Sequence, residues 1–200
     1  MGLAPTLQRR QMRKGLVRPQ IIAVALIVLA AIAALFAQGR IWWCKLGDYS
    51  PYVNQAWNSG HTSQHLFDPY TFTHILHGVA FFWLTHFAFK KMSNSWRFAI
   101  ALVAESAWEV FENTNYIIGK YRANTASLDY LGDSIANSFG DILACAFGFW
   151  VAAKLGVWKS LAFFVFVELV LLFWIRDGLL LNILMLIWPL DTVKDWQTGI

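Results

Sequence analysis

The chain has 200 residues, 58% of them hydrophobic and 14% charged, with a formal net charge of +4. A soluble domain of this size carries about 25% charged residues, and here the apolar residues are gathered into long blocks, which excludes a water-soluble globular enzyme. The composition predicts an all-α protein, a polytopic membrane helical bundle: residues 1–20 form a basic cytoplasmic segment, and 21–200 a single transmembrane domain.

The first block, 21–37, is long for a secretory h-region and runs into Ala37-Gln38-Gly39-Arg40. That is a poor cleavage site, so the block reads as an uncleaved anchor. Cys44 lies just beyond it. A polar loop follows with Asn58, His61, Ser63, Gln64, His65 and Asp68, in which His61 and His65 read as solvated. The second block, 72–89, carries His74 and His77 at its mouth, and the third, 98–118, carries Glu105, Glu109 and Glu112. A second polar loop holds Tyr121, Arg122, Asp129 and Asp133. The fourth block, 135–153, contains Asn137, Asp141 and Cys145, and the fifth, 161–175, contains Glu168, which has no assigned role. Arg176 and Asp177 read as a local ion pair. The sixth block, 179–190, ends at Trp188-Pro189 and reads as a short span, a re-entrant hairpin or an interfacial helix. A span needs about 20 apolar residues, so five or six transmembrane helices are expected.

Orientation follows from Lys and Arg. Arg9, Arg10, Arg13, Lys14 and Arg18 fall on one side with Lys90, Lys91, Arg97, Lys154 and Lys159; only Arg40, Lys45, Lys120, Arg122 and Arg176 fall on the other. The positive-inside rule therefore places the N-terminus in the cytoplasm. The excess of positive charge signals topology and a lipid surface, not nucleic acid. Trp42, Trp43, Trp96, Trp158 and Trp188 fit interfacial aromatic belts.

Once the helices are oriented, the polar residues converge. His74 and His77 lie in the first two turns of an inward-running helix. Glu112, Glu109 and Glu105 lie about 9, 14 and 20 Å below the outer end of an outward-running one, at 1.5 Å per residue. Asn137 and Asp141 lie about 6 and 12 Å below Asp133 by the same rise. The glutamates share one helical face, and Asp133, Asn137 and Asp141 form a stripe continued by Ala144 and Gly148, small residues that let helices approach closely in lipid. An acidic side chain in hydrocarbon costs roughly 2.5–3.5 kcal/mol, so these groups are the first candidates for function.

His74, His77, Glu109, Glu112 and Asp141 match the carboxylate–histidine metal sites built inside helical bundles, with Zn, Mn or Fe as the fitting divalent ions. The same groups could instead form a buried hydrogen-bond network or a proton or ion path. Glu105 or Asn137 would orient reacting groups. Tyr121 and Arg122 would meet an anionic headgroup, and Asp133 would either join the site or cap the fourth helix. The two cysteines are not placed to form a disulfide, and no metal-type Cys spacing is visible. Phosphate-binding glycine loops, nucleophile elbows and H-E-x-x-H are also missing.

The strings S-Q-H-L-F-D-P-Y-T-F-T-H-I-L-H-G (63–78), E-S-A-W-E-V-F-E-N (105–113) and Y-R-A-N-T-A-S-L-D-Y-L-G-D-S-I-A-N-S (121–138) stand out. Together with R-D-G-L-L-L-N-I-L-M-L (176–186) and P-L-D-T-V-K-D-W-Q (189–197), they resemble an uncharacterised bacterial inner-membrane family of unknown function, from about Asn58 onward. The resemblance implies a multi-pass topology and brings no activity or catalytic residues. A fainter likeness in layout is to VanZ-like small membrane proteins, from which no function is carried over.

The leading expectation is an inner-membrane protein with an outward, periplasm-facing site, acting as a metal-assisted hydrolase or transferase on a lipid or lipid-linked substrate. The alternatives are a proton- or ion-coupled transporter and a non-catalytic assembly or scaffold protein. Membrane lipids are the expected surroundings, with no nucleic-acid partner.

Overall fold

The computed structural model describes residues 19–56 and 59–199, so the basic stretch at 1–18 and Asn58 lie outside the described residues. Among the described residues there are seven helices and no strand: α1 Pro19–Ala37, α2 Thr71–Ala88, α3 Asn94–Glu112, α4 Asn115–Asn124, α5 Ile135–Ile175, α6 Leu179–Ile187 and α7 Asp191–Thr198. An isolated bridge pairs Tyr52 with Phe67 in the long first loop. The all-helical expectation is met. Of the described helices, α1 and α5 are long and apolar enough to cross a membrane. Helices α2 and α3 reach 18 and 19 residues but interrupt their apolar faces with histidines and acids.

The expected third block, 98–118, is two helices rather than one. Its apolar pattern continues through Ile117 and Ile118, but Asn113 and Thr114 compete for the backbone. The Asn113 amide donates to the Glu109 carbonyl at 3.0 Å, and the Thr114 side chain accepts from the N–H of Ile117. Capping by short polar side chains is a local alternative to continuing a helix. The chain therefore turns, and α4 leaves the axis of α3.

The fourth and fifth blocks are joined into one 41-residue segment that departs from helical geometry at Gly156, at φ 73° and ψ 176°. Only glycine adopts that region without strain. Gly140 and Gly148 on the first arm pack on the carbonyls of Leu66 and Ile75, so this arm runs alongside α2 in the same direction. The second arm runs back. Trp83, late in α2, donates to Ser160 at 2.9 Å, while Trp174 stacks edge-on against Phe72 at the start of α2. The arms, 135–155 and 157–175, are thus a hairpin that grips α2 from two sides, each roughly 30 Å long.

Between them lies the core. Leu76, Val79 and Phe82 of α2 meet Phe149 and Ala152 of one arm and Phe164, Val167 and Leu171 of the other. The small-residue stripe performs as expected: a side chain at Gly148 would collide with the backbone of Ile75, and one at Gly78, on the facing helix, with that of Cys145 and Phe149. Helix α1 lines up with α3, its Gln38 side chain donating to the Val110 carbonyl at 3.0 Å. Trp42, Trp96, Trp158 and Trp188 are exposed on the rim of the bundle.

Helix α6 spans only 9 residues, about 14 Å at 1.5 Å per residue, less than half of a hydrocarbon core. The chain then turns back: Lys194 of α7 donates to the Ala123 carbonyl of α4, and Lys120 to Leu186. The sixth block therefore stays at one end of the bundle, the end where α2 and α5 begin. Arg176 and Asp177 do not pair with each other. Arg176 has φ 52° and donates to the Trp196 carbonyl, while Asp177 accepts from Tyr70 and Gly178. Glu168 gains a role, because its carboxylate accepts from the N–H groups of Leu179 and Leu180 and caps α6.

Candidate functional site

Three helices deliver the acids and imidazoles to one place. His74 and His77 lie on the first turns of α2, Glu105 and Glu109 on the facing side of α3, and Asp141 on the second turn of α5. His74, Glu105, Glu109, Glu112 and Asp141 are all buried. Glu105 bridges both rings: its Oε1 lies 2.6 Å from His74 Nδ1 and its Oε2 3.0 Å from His77 Nδ1. His74 Nδ1 is also 3.3 Å from Glu109 Oε1, and its Nε2 is 3.9 Å from Asp141 Oδ2. The two rings meet edge to face with centroids 4.9 Å apart, and His77 packs edge-on against Trp108.

Donor atoms of His74, His77 and Glu105 come within 4.8 Å of one another, as do those of His74, Glu109 and Glu112. Asp141 belongs to neither triplet and approaches only through His74. Glu109 Oε1 and Oε2, Glu112 Oε2 and Asp141 Oδ1 are buried without a hydrogen-bond partner. Buried carboxylate oxygens left in that state are costly unless a proton or a cation meets them. Glu105 contacts both rings, the position in which a carboxylate supports histidine ligands where a metal is bound.

The neighbouring residues distribute differently from the sequence reading. Asp133 does not cap α5; Ser134 does, accepting from Asn137 N. Asp133 instead accepts from Tyr130 Oη at 2.8 Å and Asn113 Nδ2 at 2.7 Å, while its own N–H donates to Asn113 Oδ1. Its burial raises the carboxyl pKa despite those donors. Asn137 is turned away from the imidazoles, and its amide donates to the His65 carbonyl at 2.8 Å, fastening the first loop to α5. Arg122 is exposed and donates to Leu128 O, whereas Tyr121 lines the cavity and packs edge-on against Tyr130. Burial pushes Asp68 up to about 6 and Asp177 up to about 7.

These groups open onto a cavity of about 590 Å³. Its lining includes His74, His77, Glu112, Asp133 and Asp141, the polar Thr62, Ser63, Tyr70, Ser127 and Asn182, and the apolar Ala80, Phe81, Ala104, Ala107 and Phe111, with Leu179, Ile183 and Leu186 of α6. Asn113, Tyr130, Trp108 and Asn182 were not singled out by sequence reasoning. Asn113 extends the glutamate stripe one helical step beyond Glu109 and could have been found there; Asn182 carries no such signal. Of the two loop histidines expected to be solvated, His61 is partly exposed and His65 is not. His65 is fully buried, and the two rings meet Cys44 in the first loop.

Residues 35–199 match a family described as "Protein of unknown function (DUF2585)". A UPF0314 protein of Rhizobium meliloti is 45% identical over 183 residues, covering 88% of this chain and 92% of its own length. UPF0314 proteins of Brucella anthropi and Paracoccus denitrificans are 43% and 45% identical, with 88% and 87% of this chain covered and 91% and 89% of theirs. No solved structure matches the chain.

Proposed function

The chain belongs to this bacterial family of unknown function, and from that premise we propose a multi-pass inner-membrane protein that carries out metal-assisted hydrolysis or group transfer on a lipid or lipid-linked substrate. In this reading α1, α2, α3 and the two arms of α5 are the five spans, and α6 is a half-length helix at the periplasmic face. The arms and α1–α3 all measure close to the roughly 30 Å of a hydrocarbon core, which supports the count.

The observation that carries the proposal is the mixed cavity. Carboxylate oxygens of Glu109, Glu112 and Asp141 are buried near His74 without hydrogen-bond partners; the cavity beside them is lined both by polar residues, among them Tyr70, Ser127 and Asn182, and by an apolar set that includes Ala80, Phe81, Ala104, Phe111 and Leu179. A lining that offers both polar and apolar groups suits an amphiphile. His74, His77, Glu109, Glu112 and Asp141 would hold a divalent ion such as Zn, Mn or Fe, and such an ion would supply a bound water of lowered pKa. Glu105 fixes the two imidazoles, while Asp133, hydrogen-bonded by Tyr130, and Tyr121 also line the cavity. A conducting path is less well supported. Beyond Glu105 and Asp141, toward the other end of the bundle, come Leu102, Ile142 and Cys145 with Phe98 packed on them, an apolar plug.

Metal content of the detergent-purified full chain tests this, with His74→Ala and Glu109→Ala beside the wild type. Stoichiometric divalent metal in the wild type, reduced in both variants, is expected. A folded wild type that takes up no metal at this centre after supplementation overturns the proposal, leaving the acids as a structural network.

A further inference from the structure

The loop between α1 and α2 contains a second convergence of metal-ligating atoms, separate from the acids of the bundle. Cys44 Sγ lies 3.5 Å from His61 Nδ1, which lies 3.1 Å from His65 Nε2, and the three residues each offer a ligand atom within 4.8 Å of the other two. Asp48 Oδ2 is 4.0 Å from the same His61 nitrogen. Around a tetrahedral zinc with Zn–S about 2.3 Å and Zn–N about 2.0–2.1 Å, the S···N and N···N edges come to about 3.6 and 3.3 Å. The two measured separations are close to those edges.

The protonation pattern points the same way. His65 Nδ1 lies 2.6 Å from the Ser50 carbonyl oxygen. A carbonyl can only accept, so that nitrogen carries the proton, and in the neutral ring Nε2 presents a lone pair to the cluster. This is the arrangement that orients histidine ligands in metal sites, with the far nitrogen donating to a backbone carbonyl. His61 Nδ1 and Cys44 Sγ are the neighbouring donor atoms. The loop is prepared for them: Trp43 Nε1 donates to the Asp48 carbonyl, Asp48 accepts from Ser50 N, and the Trp43 ring edge packs on His65.

We propose that Cys44, His61 and His65 bind a zinc ion, with Asp48 as the nearest carboxylate to complete the shell. Its role is structural. The same loop is hydrogen-bonded to the start of α5, through Ile135 N to Ile41 O, Ser134 N to Ser63 O and Asn137 Nδ2 to His65 O. It also supplies Thr62 and Ser63 to the cavity wall. An ion clamping residues 44, 61 and 65 therefore fixes the roof of the cavity. This inference stands independently of the proposed chemistry below it, because it requires sulfur and the lower centre does not.

Cobalt substitution of the detergent-purified full chain separates the two. Co²⁺ in the wild type is expected to give a thiolate-to-cobalt charge-transfer absorption in the near ultraviolet. That band should vanish in Cys44→Ser and persist in Cys145→Ser, His74→Ala and Glu109→Ala. Asp48→Asn should keep the band at saturation but weaken binding roughly 10–100-fold. As a measurement that needs no substitution, zinc should protect Cys44 of the wild type from alkylation and a chelator should expose it. A wild type that binds Co²⁺ without the sulfur band, a band that survives Cys44→Ser, or alkylation indifferent to zinc and chelator each overturns the proposal.

Discussion

Gly78→Ala tests how closely α2 and the first arm of α5 approach. An added Cβ would collide with the Cys145 carbonyl oxygen and sit 2.6 Å from Phe149 N, where ordinary contact begins at 3.4 Å. Both obstacles are backbone, so no rotamer change relieves the clash, and the helices must part by about 0.8 Å or more. Overpacking of this kind costs about 1–3 kcal/mol, and an immovable neighbour puts Gly78 at the upper end. For a chain of this length, about 3 kcal/mol lowers Tm by roughly 6–12 °C. His77 is the adjacent residue and His74 lies one turn back, so the same displacement should also weaken metal retention at the centre. The assay is thermal unfolding in detergent alongside metal content, with Gly119→Ala as the control. Nothing lies within 4 Å of a Cβ at Gly119, and alanine there should stabilise α4 by up to about 1 kcal/mol. A Gly78→Ala protein melting with the wild type would refute the close approach.

Asn113→Ala removes an amide that both donates to and accepts from Asp133, leaving a buried N–H unsatisfied. It should cost about 1–3 kcal/mol, read as a lowered midpoint of unfolding. Glu168→Ala uncaps α6 and should cost about 0.5–2 kcal/mol, with faster amide exchange confined to residues 179–187. The carboxyl of Asp177 is raised by burial from 3.8 to about 7. The folded chain thus holds more protons than the unfolded between those values, and stability should fall as pH rises from about 4 to 7. Asp177→Asn should flatten that part of the curve, and an unchanged slope in the variant would rule out Asp177 as its source.

Much of the centre was legible because helical spacing is a strong signal. Glu105, Glu109 and Glu112 recur at steps of four and three, and Ala144 and Gly148 mark the face on which α5 meets α2. Local competition hid the break after Asn113: the apolar pattern ran on, and only the capping atoms stop the helix. Arg176 and Asp177 misled for a related reason, since a left-handed residue sends neighbouring side chains to different partners. Cys44, His61 and His65 were not legible at all. They sit on irregular backbone with no period, and they meet only because the loop docks on the start of α5.

The hairpin at Gly156 decides which part of the molecule is free to move. With α2 packed between two arms of one helix, the histidines ride on the most confined element, and any shift of their backbone would have to drag both arms along. The short helix α6 has no such partners on its outer face, where Leu180, Leu184 and Ile187 are exposed. The wall that α6 gives the cavity is thus held apart from that hairpin grip, by the Glu168 carboxylate at its start and the Lys120 ammonium at its end.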